Sequence, residues 1–163
     1  MKLKIIPILV FAFSVITAKS GNLIQNFSKT SFYAVLKSGK IDDVNNELDL
    51  LKSSSINEKD GYEAALLMRK AGLEKIPVQK LKYFKKGRIQ LETAISNNNA
   101  NGEYHFLRLM IQEHAPKVAK YSTDLETDKA CVKKSFQNLS PSVQQVIIDY
   151  SKNSKIIHPE DFK

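Results

Sequence analysis

The sequence has one cysteine, Cys131, among its 163 residues, which excludes an intramolecular disulfide and leaves the fold to stand on its core. It has no strand-type alternation of apolar and polar residues, which excludes a sheet as the framework. HExxH, GxSxG and a glycine-rich phosphate loop are all missing, and with them the usual routes to a zinc hydrolase, a serine hydrolase or a nucleotide-binding enzyme. Beyond residue 18 no apolar run approaches the roughly 20 residues of a membrane-spanning helix. The lone Cys131 lacks an activating context and is expected to be a buried, small apolar side chain of a helix.

The metal-ligating residue types are equally sparse. His105, Glu113 and His114 are the nearest approach to a cluster, but positions 105 and 114 project about 180° apart on a helix, so one segment cannot offer both to one ion. The residues therefore imply no metal, no cofactor and no catalytic set.

What is present begins with MKLKIIPILVFAFSVITA, residues 1–18, in which Lys2 and Lys4 precede an apolar run that ends in small residues. This is the layout of a signal peptide, with cleavage expected near residue 18 or as late as 20 and the product exported, periplasmic or secreted. Residues 19–29 are expected to be flexible, and 30–163 to form a single α-helical domain, monomeric and without an integral membrane span. Its tail after Ser151 is expected to fray, apart from docking of Ile156 and Ile157. The formal charge is +8, and taking away Lys2 and Lys4 leaves 23 basic against 17 acidic side chains. Much of the surplus lies in KLKYFKKGR, as Lys80, Lys82, Lys85, Lys86 and Arg88, either a solvated helix face or a contact for an anionic partner. No aromatic platform is interleaved with these cations, and no recognised motif accompanies them, so nucleic acid is not an expected partner.

The rest of the chain falls into about seven helix-period segments separated by breakers, an all-α pattern. Residues 31–38 and 41–51 make a first hairpin about Gly39. A third helix opens at Asn57 and stops at Gly72, and a fourth starts behind Pro77 and runs to Asn97. A fifth covers 103–114 before Pro116, a sixth starts near Thr123 or Asp124, and a seventh has Ser140 as its cap and Pro141 at its first position. FYAVLKSGKIDDVNNELDLL resembles a tetratricopeptide hairpin, and FKKGRIQLETAISNNNANGEYHFLRL resembles the junction between two such repeats, with Ala94 placed like that family's small packing residue. The chain also resembles small exported helical bacterial proteins without assigned activity. The resemblance implies stacked antiparallel hairpins that bind partners on a concave face. An irregular bundle is the other arrangement open to seven such helices.

Three of the segments carry charges at or beside their apolar seams. The fourth reads Pro77, Leu81, Phe84, Arg88, Leu91, Ile95, with Glu92 adjacent. The fifth buries Leu107, Met110, Ile111 and His114, with Arg108 beside them. The sixth reads Leu125, Asp128, Val132, Phe136. A charge in such a place needs a partner or an opening to water. Arg88, Glu92, Arg108 and Asp128 form one candidate set, an internal ion-pair network. The other candidate set is Arg88, His105, Arg108 and Gln112 lining a polar groove, since 105, 108 and 112 share a stripe. The corresponding functions are recognition of a protein, a peptide or another anionic ligand and, as the alternative, a small hydrolase or other enzyme built on the same residues.

Overall fold

The computed structural model describes residues 26–163. The expected signal peptide, residues 1–18, and most of the expected flexible segment lie outside them. The described residues form an all-α bundle: α1 (Lys29–Lys37), α2 (Ile41–Ser53), α3 (Lys59–Leu73), α4 (Pro77–Asn97), α5 (Gly102–His114), α6 (Leu125–Ser135) and α7 (Pro141–Ser151). Short 3-10 turns follow at Lys117–Ala119, Phe136–Asn138 and Pro159–Phe162. No strand occurs among the described residues, and none of their helices is long and apolar enough to cross a membrane.

Local chemistry sets most of the boundaries. Ser28 accepts from the Ser31 N–H at 3.1 Å and caps α1, and Asn101 accepts from the N–H groups of Glu103 and Tyr104 at 3.0 and 3.1 Å and caps α5. Pro77 and Pro141 stand in the first turns of α4 and α7, where a missing N–H costs nothing. One expected cap is displaced, and Ser140 holds the N-cap position of α7 without a side-chain cap bond. The third helix starts at Lys59 rather than behind Asn57, and the Ser140 hydroxyl meets Ser142 Oγ at 3.1 Å instead of a backbone N–H.

α3 is packed against α2, α4 and α5, α5 is paired with α6, and α1 meets α7. The two ends of the described chain thus come together, as in the irregular bundle. The main core gathers Phe32, Tyr62, Leu66, Phe106, Leu109 and Ile147, and a smaller cluster under α4 holds Ala64, Met68, Leu91, Ile95, Tyr104 and Tyr121. α3 and α4 approach closely at Gly87, where an added Cβ would lie 2.6 Å from Met68 Cγ and 2.7 Å from the Ala64 carbonyl oxygen.

Both ends of the helical region make core contacts. Phe27 packs on Phe32 and Tyr62, so those contacts begin before residue 30. The C-terminal segment is docked rather than frayed, because Ile157 and Phe162 are buried and Asp161 meets Lys133 at 2.8 Å and Lys129 at 3.3 Å. Glu113 accepts there from Tyr150 Oη at 2.6 Å, Ser154 Oγ at 2.7 Å and the Lys155 N–H at 2.6 Å. Burial alone would push the Glu113 carboxyl up, but these donors outweigh it and hold the group below its ordinary value.

Gly87→Ala should destabilise the protein by about 1–3 kcal/mol, because the Ala64 carbonyl is backbone and cannot step aside. Gly72→Ala, whose Cβ would meet nothing within 4 Å, should instead stabilise by about 0.5–1 kcal/mol. Urea midpoints distinguish the two. Acid gives a second expectation. A carboxylate held below its unfolded value contributes stability that is complete at neutral pH and is lost as pH falls through the folded value. Residues 154–163 should therefore lose amide-exchange protection below about pH 4, and Glu113→Gln should weaken that protection already at pH 7.

Candidate functional site

Two features of the fold are candidates, a buried polar cluster and an open apolar groove. The cluster grows from α5. Its Asn101 cap fixes the register, and the spacing of three and four residues places His105, Arg108 and Gln112 on one stripe, as expected. That stripe does not face water: the three residues are 4, 6 and 2 % exposed, and Asp128 opposite them on α6 is 0 % exposed.

Arg108 holds Asp128 with two parallel bonds, Nε to Oδ2 at 2.9 Å and Nη2 to Oδ1 at 2.7 Å, and its Nη1 reaches Glu92 on α4 at 2.6 Å. This bidentate geometry is the strongest form of such a pair. Burial works against the guanidinium charge, but Asp128 and Glu92 outweigh it and raise the arginine further above its ordinary value. His105 Nδ1 lies 2.6 Å from Asp128 Oδ1, and Nε2 lies 2.9 Å from the Asn99 carbonyl. Both ring nitrogens thus face acceptors inside the protein, leaving neither for a substrate proton. Gln112 donates to Asp124 Oδ2 at 2.9 Å and accepts from the Asp124 N–H at 3.1 Å, which ties the entry of α6 to α5. Glu92 also accepts from Tyr121 Oη at 2.5 Å. Burial first, and then that carboxylate, raise the Tyr121 phenol.

The ion-pair network therefore contains Glu92, Arg108 and Asp128, and it takes in His105, which sequence reasoning placed in a groove. Arg88 is not a member. It is exposed, with its guanidinium 4.6 Å from the centre of the Tyr121 ring. A polar groove lined by His105, Arg108 and Gln112 is not formed, because α6 and the turn at Asn99 cover the stripe. Cys131 is half-buried rather than fully buried, and burial with the nearby Asp128 charge raises its thiol. Among the described residues no group of three or more His, Cys, Asp or Glu is placed to hold a metal ion.

Sequence reasoning missed a second buried anchor on α5. Glu103, 3 % exposed, accepts from Lys29 Nζ at 2.6 Å, Tyr62 Oη at 2.7 Å and Tyr33 Oη at 3.0 Å. Burial and the facing carboxylate raise both phenols. The only available signal was an acid in the first turn of a helix, which many surface helices share.

The groove occupies ≈ 1020 Å³ between α1, α3, α4, the end of α5 with the turn that follows it, and α7. Its deepest lining is Ala65 and Met68 of α3. Pro77, Leu81 and Phe84 line it from α4, and Met110, Ile111 and His114 from α5. These last six are residues that the sequence pattern assigns to buried seams. Leu81 is 53 % exposed, Met110 and Ile111 are half-buried, and His114 is exposed. Both stripes exist, but the space between them stays open. Five cations line the same groove, Lys37, Arg69, Lys80, Lys85 and Arg88, and no carboxylate does. Arg69 is committed to the Ser38 carbonyl at 3.1 and 2.5 Å. The other four form no ion pair among the described residues.

Arg108→Ala should destabilise by about 3–5 kcal/mol, since it leaves the Asp128 carboxylate buried and uncompensated, whereas Arg88→Ala should stay within about 0.5 kcal/mol as an exposed site does. Denaturant midpoints of the two variants measure the contrast.

Comparison with protein-family models, with curated proteins and with solved structures found no match to this chain.

Proposed function

We propose that the protein is a binding module whose ligand combines an apolar body with negative charge and lies in the groove beside α4. One observation carries this reading: a groove of ≈ 1020 Å³ whose lining is mainly apolar side chains and five cations, without a carboxylate. Apolar side chains gathered along a concave surface are a common form of ligand site. Cations held without acidic partners select what that ligand is. Of the residues expected to bind, Arg88 keeps a place on the rim, while His105, Arg108 and Gln112 belong to the interior.

The N-terminal pattern of Lys2, Lys4 and the apolar run to Ala18 supports export, so we place the module outside the cytoplasm. Recognition is supported over catalysis by how the polar residues are used. The His105–Asp128 pair is engaged on both ring nitrogens and enclosed, and the Cys131 thiol beside it faces the same Asn99 carbonyl and is raised, not activated, by burial and the Asp128 charge.

An anionic aromatic dye, anilinonaphthalene sulfonate, tests the groove. The wild-type chain should bind it saturably at one site with its near-ultraviolet circular dichroism unchanged. Leu81→Asp, and separately the pair Lys80→Glu and Lys85→Glu, should each weaken binding about tenfold, equivalent to roughly 1.4 kcal/mol. Absence of saturable binding, or equal binding by all three proteins, would exclude the groove as a ligand site.

A further inference from the structure

We propose that the occupant of the groove is an acidic amphipathic helix of a partner protein, about three turns long. The inference rests on the reading of the groove as a ligand site and adds the class of ligand.

Length is the first argument. The α4 wall runs from Pro77 to Arg88, about 17 Å at a rise of 1.5 Å per residue, which matches three turns of a docked helix. The second is the absence of strand edges. The walls are helices and one short turn, and no strand occurs among the described residues, so an extended peptide finds no unpaired ladder to join. A helix brings its own backbone bonds and asks only for side-chain contact. Met68 and Met110 in the lining suit that demand, since an unbranched thioether adapts to anchors at i, i+3, i+4 and i+7.

The distribution of charge separates this occupant from a lipid-like one. A fatty acid carries one charge at one end and would be met by cations gathered there. Here Lys80, Lys85 and Arg88 are spread along α4, and Lys37 stands on another wall contributed by α1. A helix with carboxylates flanking its apolar face meets cations in such an arrangement. A second copy of this chain is disfavoured by the same rule, because its formal charge is +8 and copies repel.

The test uses the full chain and a fluorescein-labelled 14-residue peptide with leucines at helical spacing and glutamates flanking them. Anisotropy should show saturable binding that weakens as salt rises, the peptide should gain helical circular dichroism, and it should displace the anionic dye. The triple variant Lys80→Glu, Lys85→Glu, Arg88→Glu should bind this peptide at least tenfold more weakly and prefer a version with lysines in place of the glutamates. A benzophenone side chain installed at position 81 should crosslink to the peptide. If myristate displaces the dye and the peptide does not, the groove remains a ligand site and the helix proposal is overturned. Crosslinking at position 81 to a second copy, or to the chain's own first 25 residues, overturns it as well. Failure of the dye itself to bind removes the reading on which the proposal rests.

Discussion

The carboxylate of Asp128 is sealed from water, and the structure around it is what that one charge requires. An ionised carboxylate in an apolar interior is tolerated only when several donors converge on it. Two come from Arg108 and one from His105, both on α5, and these groups bring further obligations of their own. Arg108 has a remaining arm, which Glu92 of α4 receives, and His105 has a second nitrogen, which the Asn99 carbonyl receives. Satisfying a single buried anion thus sets the separation of α4, α5 and α6 and the path of the turn between the first two.

α5 extends the same logic along its length. Every residue from Gly102 to Leu109 is buried, so its polar side chains have no recourse to solvent. Glu103 gathers α1 and α3, Arg108 gathers α4 and α6, Gln112 gathers the start of α6, and Glu113 gathers α7 and the tail. The helix is a spine whose polar groups each specify a neighbour. Its last turn is the exception. There Met110 and Ile111 are only half-buried and His114 is exposed, so one side of the turn borders the open groove while Gln112 and Glu113 on the other side hold their neighbours.

Much of the architecture was legible in the sequence. Gly39, Pro77, Pro116 and Pro141 punctuate the chain close to where the helices start and stop, and the seven segments follow from their periodicity. The stripe at 105, 108 and 112 was also legible, because the spacing of residues on one helix is fixed by geometry. What covers a stripe was not. The 105 stripe was expected to face a groove and is roofed by α6. The stripes at 77, 81, 84 and at 110, 111, 114 were expected to be roofed and face a groove. Period says which residues look the same way and carries no information about the distance to the next element. The polar tail after Ser151 misled for a related reason: its anchor, Glu113, lies some forty positions upstream and bonds partly to a backbone N–H, which no side-chain pattern encodes.

The spine also has a consequence in time. Glu103 draws its donors from Lys29, Tyr33 and Tyr62, separated from it by 74, 70 and 41 positions, while Glu113 draws its own from the other direction, up to 42 positions ahead. Loop closure over such intervals must precede the reward, which slows folding relative to a bundle of local hairpins. While the chain is being synthesised, α5 emerges with half its bonding partners not yet made. A nascent fragment ending before the tail leaves Glu113 without the donors from Ser154 and Lys155. The bonds of the spine are therefore complete only once residues 154 and 155 are in place.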